Sequence, residues 1–181
     1  VITGPESCGK TTLLESVKHL AEVEITEEFA RYYLDDIKRP YQYEDIYSIA
    51  LGQIAFENDA LESNKKLIIQ DTDLLTLKIW CEYKYKKCHS LIIKELSKRL
   101  PSLYILCYPD IPWEHDVQRE NPNDRLALFK LYEEEIKKLK VDYIILKGSK
   151  ENRLDKVEQL ISKLVSAVSY THLRAHETAR H

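Results

Sequence analysis

Glycine is scarce in this sequence and methionine is absent. Only four glycines, Gly4, Gly9, Gly52 and Gly148, occur in 181 residues. That scarcity excludes glycine-rich linkers and low-complexity segments. No stretch approaches the ~20 consecutive apolar residues that a bilayer-spanning helix needs. The four cysteines, Cys8, Cys81, Cys88 and Cys107, form no C-x-x-C pair and no spacing with histidine of the kind that holds zinc. With no secretory signal they read as reduced thiols of a cytoplasmic protein. A large excess of one charge is also missing. The formal net charge is −3, which gives no broad pull toward nucleic acid or an anionic membrane. The missing initiator methionine, and the apolar Val1-Ile2-Thr3 that opens the chain, point to an amino terminus truncated inside a first strand.

What is present suits one globular domain. Hydrophobic residues make up 44% and charged residues 31%, enough to bury a core in a chain of this length. Short apolar runs alternate with longer amphipathic stretches, the pattern of repeated βαβ units. Strands are expected at 1–3, 23–26, 67–69, 102–107 and 142–146. Helices are expected at 10–20, from 30, and at 43–63, 74–85, 90–100, 126–139 and 152–165. The solid apolar run Leu67-Ile68-Ile69 indicates a strand buried on both faces. The fold expected from this alternation is a three-layer α/β/α arrangement with a parallel sheet of about five strands. It spans residues 1–166. Residues 168–178 resemble a translated sequencing-library adapter, so 167–181 are set apart as an expected non-native tail.

Two of the four glycines fall in one motif. Gly4-Pro5-Glu6-Ser7-Cys8-Gly9-Lys10-Thr11 satisfies G-x-x-x-x-G-K-[ST] at every fixed position, with Thr12 next. The glycines let successive backbone N–H groups turn inward toward phosphate oxygens. Lys10 brings a point charge to the β and γ phosphates, and the Thr11 hydroxyl can ligate magnesium. The helix beginning near Lys10 aims its positive end at the same anion. The motif therefore predicts ATP bound with Mg2+, and with the expected sheet it predicts a fold of the P-loop NTPase class, nucleoside-kinase-like with a lid over one edge.

A second acidic element is expected on a neighbouring strand. Asp71 follows the apolar run at its carboxyl end, where a carboxylate can hold the magnesium shell. Asp73, two residues on, either ligates or caps the helix that begins at Leu74. Glu28 and Arg31 follow the second strand. Glu28 is a candidate partner for an acceptor hydroxyl and Arg31 for a phosphate, the alternative being a surface ion pair one helical turn apart. Arg119 and Arg125 lie in a polar, proline-containing segment expected to close as a lid and exclude water. Aromatics near the expected acceptor side include Tyr43, Tyr47, Trp80 and Tyr83.

Several segments together resemble the ribosylnicotinamide kinase domain of the NadR family. They are residues 4–12, Glu28-Phe29-Ala30-Arg31, Tyr43-Glu44-Asp45 with Ala50-Leu51-Gly52-Gln53, and Asp71-Thr72-Asp73-Leu74 with Thr76 and Cys81-Glu82-Tyr83. The resemblance runs in order to about residue 166. It implies transfer of a phosphoryl group from ATP to the 5′-hydroxyl of nicotinamide riboside, giving nicotinamide mononucleotide. Lys10 and Thr11 then serve ATP and Mg2+, Asp71 and Glu28 are the acids at the reacting centre with Arg31 beside them, and Tyr43, Asp45 and Gln53 shape the acceptor side. Glu27 stands where some members carry tryptophan, and Tyr32 where relatives are often acidic. Two other readings remain open: a kinase for another nucleoside or small metabolite, and a nucleotide-dependent regulatory module without acceptor chemistry.

Overall fold

The computed structural model describes residues 1–114 and 123–178, with side chains described in the last helix to residue 167. Five strands and seven helices alternate along these residues: β1 (Ile2–Thr3), α1 (Lys10–Val17), β2 (Val23–Thr26), α2 (Phe29–Ile37), α3 (Tyr43–Leu61), β3 (Leu67–Gln70), α4 (Leu74–Tyr85), α5 (Ser90–Lys98), β4 (Tyr104–Cys107), α6 (Arg125–Leu139), β5 (Tyr143–Leu146) and α7 (Lys150–Thr178). Every strand pair is parallel. Among the described residues no helix is long and apolar enough to cross a membrane.

The sheet differs from the expected continuous set of about five. Three strands pair in the order β1-β4-β5, and β2-β3 form a separate ladder. The ladders meet at one bridge, Ile2 with Asp71, where the Thr72 N–H also donates to the Ile2 carbonyl at 3.0 Å. The reason is the length of β1. Two residues already paired with β4 leave room for a single link to β3.

Side chains alternate across β4, as the pleat requires. Tyr104 and Leu106 enter a core with α3, α4, α5 and α6; Ile105 and Cys107 enter a second core with α1 and α7. All four β4 residues are buried, so this strand is the spine between two helical layers. Gly52 has a packing reason. A Cβ there would stand 2.1 Å from the Phe29 ring, so α3 and α2 could not approach as they do.

Helix α7 continues to Thr178, well past the expected end at 165. Nothing between 165 and 178 breaks a helix: the stretch has no glycine or proline.

Candidate functional site

The phosphate loop follows from local backbone demands. Gly4, Ser7 and Gly9 all hold positive φ, at 138°, 52° and 86°. A Cβ on Gly4 would meet the Cys107 carbonyl at 2.7 Å, so the loop's first residue must be glycine to pass the end of β4. Gly9 caps α1 in a left-handed conformation, and the helix starts at Lys10. The Lys10 ammonium folds back on the loop, donating to the Gly4 carbonyl at 3.0 Å and the Pro5 carbonyl at 2.9 Å. Burial opposes its charge, but Cys8, Tyr132, Asp71 and Glu28 around it together raise its pKa. Lys10 is therefore cationic, on a tether long enough to leave the two carbonyls for an incoming phosphate.

Three of the expected residues converge beside this loop. Glu28 is the N-cap residue of α2, and Arg31 lies on the first turn of that helix. The Arg31 Nε donates to Glu28 at 3.1 Å and its Nη2 to the Thr11 hydroxyl at 3.4 Å. Asp71 ends β3, its N–H donating to the Thr26 carbonyl at 2.8 Å. Asp71 is 5% exposed and its Oδ1 has no hydrogen-bond partner. Burial and the nearby Glu28 push its carboxyl up to about 6, against the pull of Lys10 and Arg31. An orphaned buried carboxylate oxygen in one small cavity with the Thr11 hydroxyl is a hard-oxygen donor set that fits magnesium.

A larger cleft of about 720 Å³ opens from the phosphate loop. Its phosphate end is residues 4–12 with Glu28 and Arg31. Its far wall is Leu34, Tyr41, Ile79, Trp80, Tyr83 and Lys84, and its floor includes Thr76, Leu128 and Tyr132. The Tyr41 and Trp80 rings lie 6.2 Å apart at 30°, and the Lys84 ammonium sits 3.8 Å from the Tyr41 ring centre. Arg125 does not line the cleft but bonds to the phosphate loop, donating to the Ser7 carbonyl at 3.1 Å and the Ile111 carbonyl at 2.9 Å, with its guanidinium 5.7 Å from the Trp113 ring. The Glu114 N–H donates to the Ser7 hydroxyl at 2.9 Å. The segment after β4 thus lies against the loop, as a lid element must. Arg119 falls outside the described residues.

The residues expected to shape the acceptor side are placed elsewhere. Asp45 accepts two bonds from Arg39 at 2.7 and 2.8 Å, one from the Tyr33 hydroxyl at 2.9 Å and one from the Gln42 N–H at 2.7 Å. That is a buried capping and ion-pair role tying α2 to α3. Gln53 accepts from the Phe29 N–H at 3.0 Å across the same interface. Tyr43 stacks on His89 at 3.9 Å. Asp73 caps α4, accepting from the Leu75 N–H at 3.1 Å and the Tyr104 hydroxyl at 2.6 Å. None of these four lines the cleft. Asp45, Asp73 and the Tyr43 ring are engaged by these partners, and the Gln53 amide is held through its oxygen while its Nε2 is buried without a partner. Tyr47 is exposed at the edge of His89 rather than in the cleft. Trp80 and Tyr83 do line it.

Sequence reasoning missed Tyr41, Tyr132 and Arg153. Tyr41 follows a proline that ends the α2 region, and Tyr132 lies on the buried stripe of α6; neither carries a motif. Arg153 is a lone cation in an amphipathic helix, yet it is 2% exposed and bonds to the phosphate loop.

Comparisons with known proteins agree with this fold. A solved NadR protein in complex with NR superimposes with a TM-score of 0.72 at 17% identity, over 88% of this chain and 49% of that one. A NadR protein in complex with NAD and AMP-PNP gives 0.71 at 16% identity, over 87% and 46%. The chain shares their fold and spans about half their length. No curated protein matches its sequence. Residues 1–153 match the AAA domain. With its phosphate loop, its parallel α/β core and this match over most of its length, the chain belongs to the AAA domain family.

Proposed function

We propose that the protein is an ATP- and magnesium-dependent kinase that phosphorylates the 5′-hydroxyl of nicotinamide riboside. The observation that carries this reading is one cleft lined together by the phosphate loop, by Glu28 and Arg31, and by the aromatic residues Tyr41, Trp80 and Tyr83. ATP would lay its phosphates on residues 4–12, under Lys10. Magnesium, held by Thr11 and Asp71, would neutralise charge on the β and γ phosphates. Glu28 lines both the main cleft and the side cavity, whereas Asp71 lines only the side cavity. Glu28 is therefore placed to take the acceptor proton, leaving Asp71 for the metal. The acceptor oxygen forms a bond to the γ-phosphorus, the bond from that phosphorus to the β–γ bridging oxygen breaks, and ADP leaves with the electron pair. Arg31 sits where it can follow the transferred charge, and Arg125 helps hold the lid segment against water.

Trp80 and Tyr83 line the cleft with aromatic rings against which a substrate ring can pack, beside Tyr41, whose ring carries the Lys84 ammonium over one face. A riboside ring there, with the ribose toward Glu28, would use residues that line the same cleft of about 720 Å³. That the chain shares its fold with a NadR protein in complex with NR supports this acceptor. Other nucleosides with a flat ring fit the same wall, and they form the comparison set. The test is ADP release with ATP and Mg2+ in the presence of nicotinamide riboside, of common nucleosides, or of no acceptor. Stimulation confined to nicotinamide riboside is expected. Stimulation by another nucleoside would reassign the acceptor, and nucleotide binding without stimulation by any acceptor would point to a regulatory module.

A further inference from the structure

We propose that Arg153 is a positioning residue for ATP, a buried cation on α7 that sets the phosphate loop at Cys8 and joins it to the loops after β4 and β5. The inference rests on the nucleotide-binding half of the proposed function and is independent of the acceptor. Four contacts carry it. The Arg153 Nη1 donates to the Cys8 carbonyl at 2.8 Å, and Nε donates to the Gly148 carbonyl at 2.9 Å. Nη2 donates to the Tyr108 carbonyl at 2.7 Å and to the Asp110 carboxylate. Asp110 in turn accepts from the Gly148 N–H at 2.8 Å. One guanidinium therefore ties together three segments that meet only in the folded chain.

The consequence for phosphate binding comes from peptide geometry. In a planar trans peptide the C=O and the following N–H point to opposite sides. Drawing the Cys8 carbonyl toward Arg153 turns the Gly9 N–H the other way. Gly9 lines the cleft, so that amide is turned out of the protein toward the phosphate site. Gly9 takes φ 86°, which glycine holds without strain, so the anchor selects this orientation at little cost. The charge acts in the same direction. Arginine stays protonated, and three of its four partners are neutral carbonyls. Asp110 is the one carboxylate, and its side chain is 30% exposed. Part of the positive charge is thus left directly behind a loop that receives a polyphosphate.

The experiment is titration calorimetry of AMP-PNP with Mg2+ into the whole chain and three variants, each at a temperature where circular dichroism shows it folded. Arg153→Met should weaken binding about tenfold or more, since misplacing a pre-organised group by a fraction of an ångström costs that much. Arg153→Lys should recover only part of the loss, because an ammonium keeps the charge but cannot span three carbonyls. Asp110→Asn, which leaves the arginine in place and removes its carboxylate, should weaken binding roughly two- to threefold. A purely structural arginine would lower the melting temperature and leave the Kd of folded protein unchanged. Folded Arg153→Lys and Asp110→Asn that both bind within about twofold of wild type would overturn the proposal. If Arg153→Met does not fold, those two variants decide. A wild-type chain that does not bind AMP-PNP would sink the nucleotide reading itself, a result distinct from equal binding by wild type and variants.

Discussion

The two ends of the cleft are built by opposite means. The phosphate end comes from one unbroken stretch, residues 4–12, whose glycines, lysine and threonine are spaced by the geometry of a single turn and a helix start. The aromatic end has no such stretch. Leu34 comes from α2, Tyr41 from the loop before α3, Ile79, Trp80, Tyr83 and Lys84 from α4, and Tyr132 from α6. A local site tolerates changes in packing elsewhere, provided its own few residues remain. An assembled site is as sensitive to the helices that carry it as to the residues that touch ligand. The difference also shows why Asp45, Gln53 and Tyr43 matter without lining the cleft. They fix α2, α3 and α5 against one another, so they set the wall at one remove.

This contrast can be broken by substitution. The largest effect is expected at the local end, where Lys10→Ala should lower kcat/KM by about 10²- to 10³-fold through loss of charge on the transferred phosphoryl. Measured ADP release with a saturating acceptor checks it. At the assembled end, Trp80→Ala should raise the acceptor KM roughly tenfold, the worth of one stacked ring, while AMP-PNP affinity is unchanged. A loss of both affinities would mean that the two ends are not separable. Tyr104→Phe removes the hydroxyl that Asp73 accepts at 2.6 Å in the core. It should cost about 1–3 kcal/mol of stability, the usual penalty for a buried polar group left short of a partner, with both KM values kept. Denaturant unfolding together with steady-state kinetics separates these outcomes.

The smallest effect has an unusual sign. The folded protein holds the Asp71 proton to about 6, against an ordinary value of 3.8. Between those values the folded state binds more protons than the unfolded chain, so stability falls as pH rises through the window and stays low above it. Asp71→Asn should therefore stabilise the ligand-free protein at pH 8 by about 1–2 kcal/mol and have little effect near pH 4. Thermal melts at the two pH values test this, and the same variant should lose its response to magnesium. A variant less stable than wild type at pH 8 would show that the orphaned carboxylate is not the source of strain. The gain is the counterpart of function: a carboxylate kept without a partner is ready for a cation.

Much of this was legible in the residues. The alternation of apolar runs and amphipathic stretches determined the order and type of the elements, because periods of two and of 3.6 residues are local properties of the chain. The phosphate loop was equally local, and Glu28, Arg31 and Asp71 could be placed because each follows a readable strand at its carboxyl end. Tertiary structure alone decided which polar groups were spent and which were left over. Asp45 looks like a site acid in the sequence and becomes a cap and ion-pair partner because Arg39, Gln42 and Tyr33 reach it; Asp73 takes the capping alternative its position offered, and Tyr104 closes it further. Asp71 has no such neighbour and stays available. Arg153 looks like any surface arginine of an amphipathic helix and becomes a buried anchor because Cys8, Tyr108 and Asp110 converge on it from far along the chain, beside the nearby Gly148. Spacing along a sequence reports what a residue can do. Whether it is free to do it depends on partners brought up by the fold, and several of these, such as Tyr104 for Asp73 and Cys8 and Tyr108 for Arg153, lie at separations no local pattern encodes.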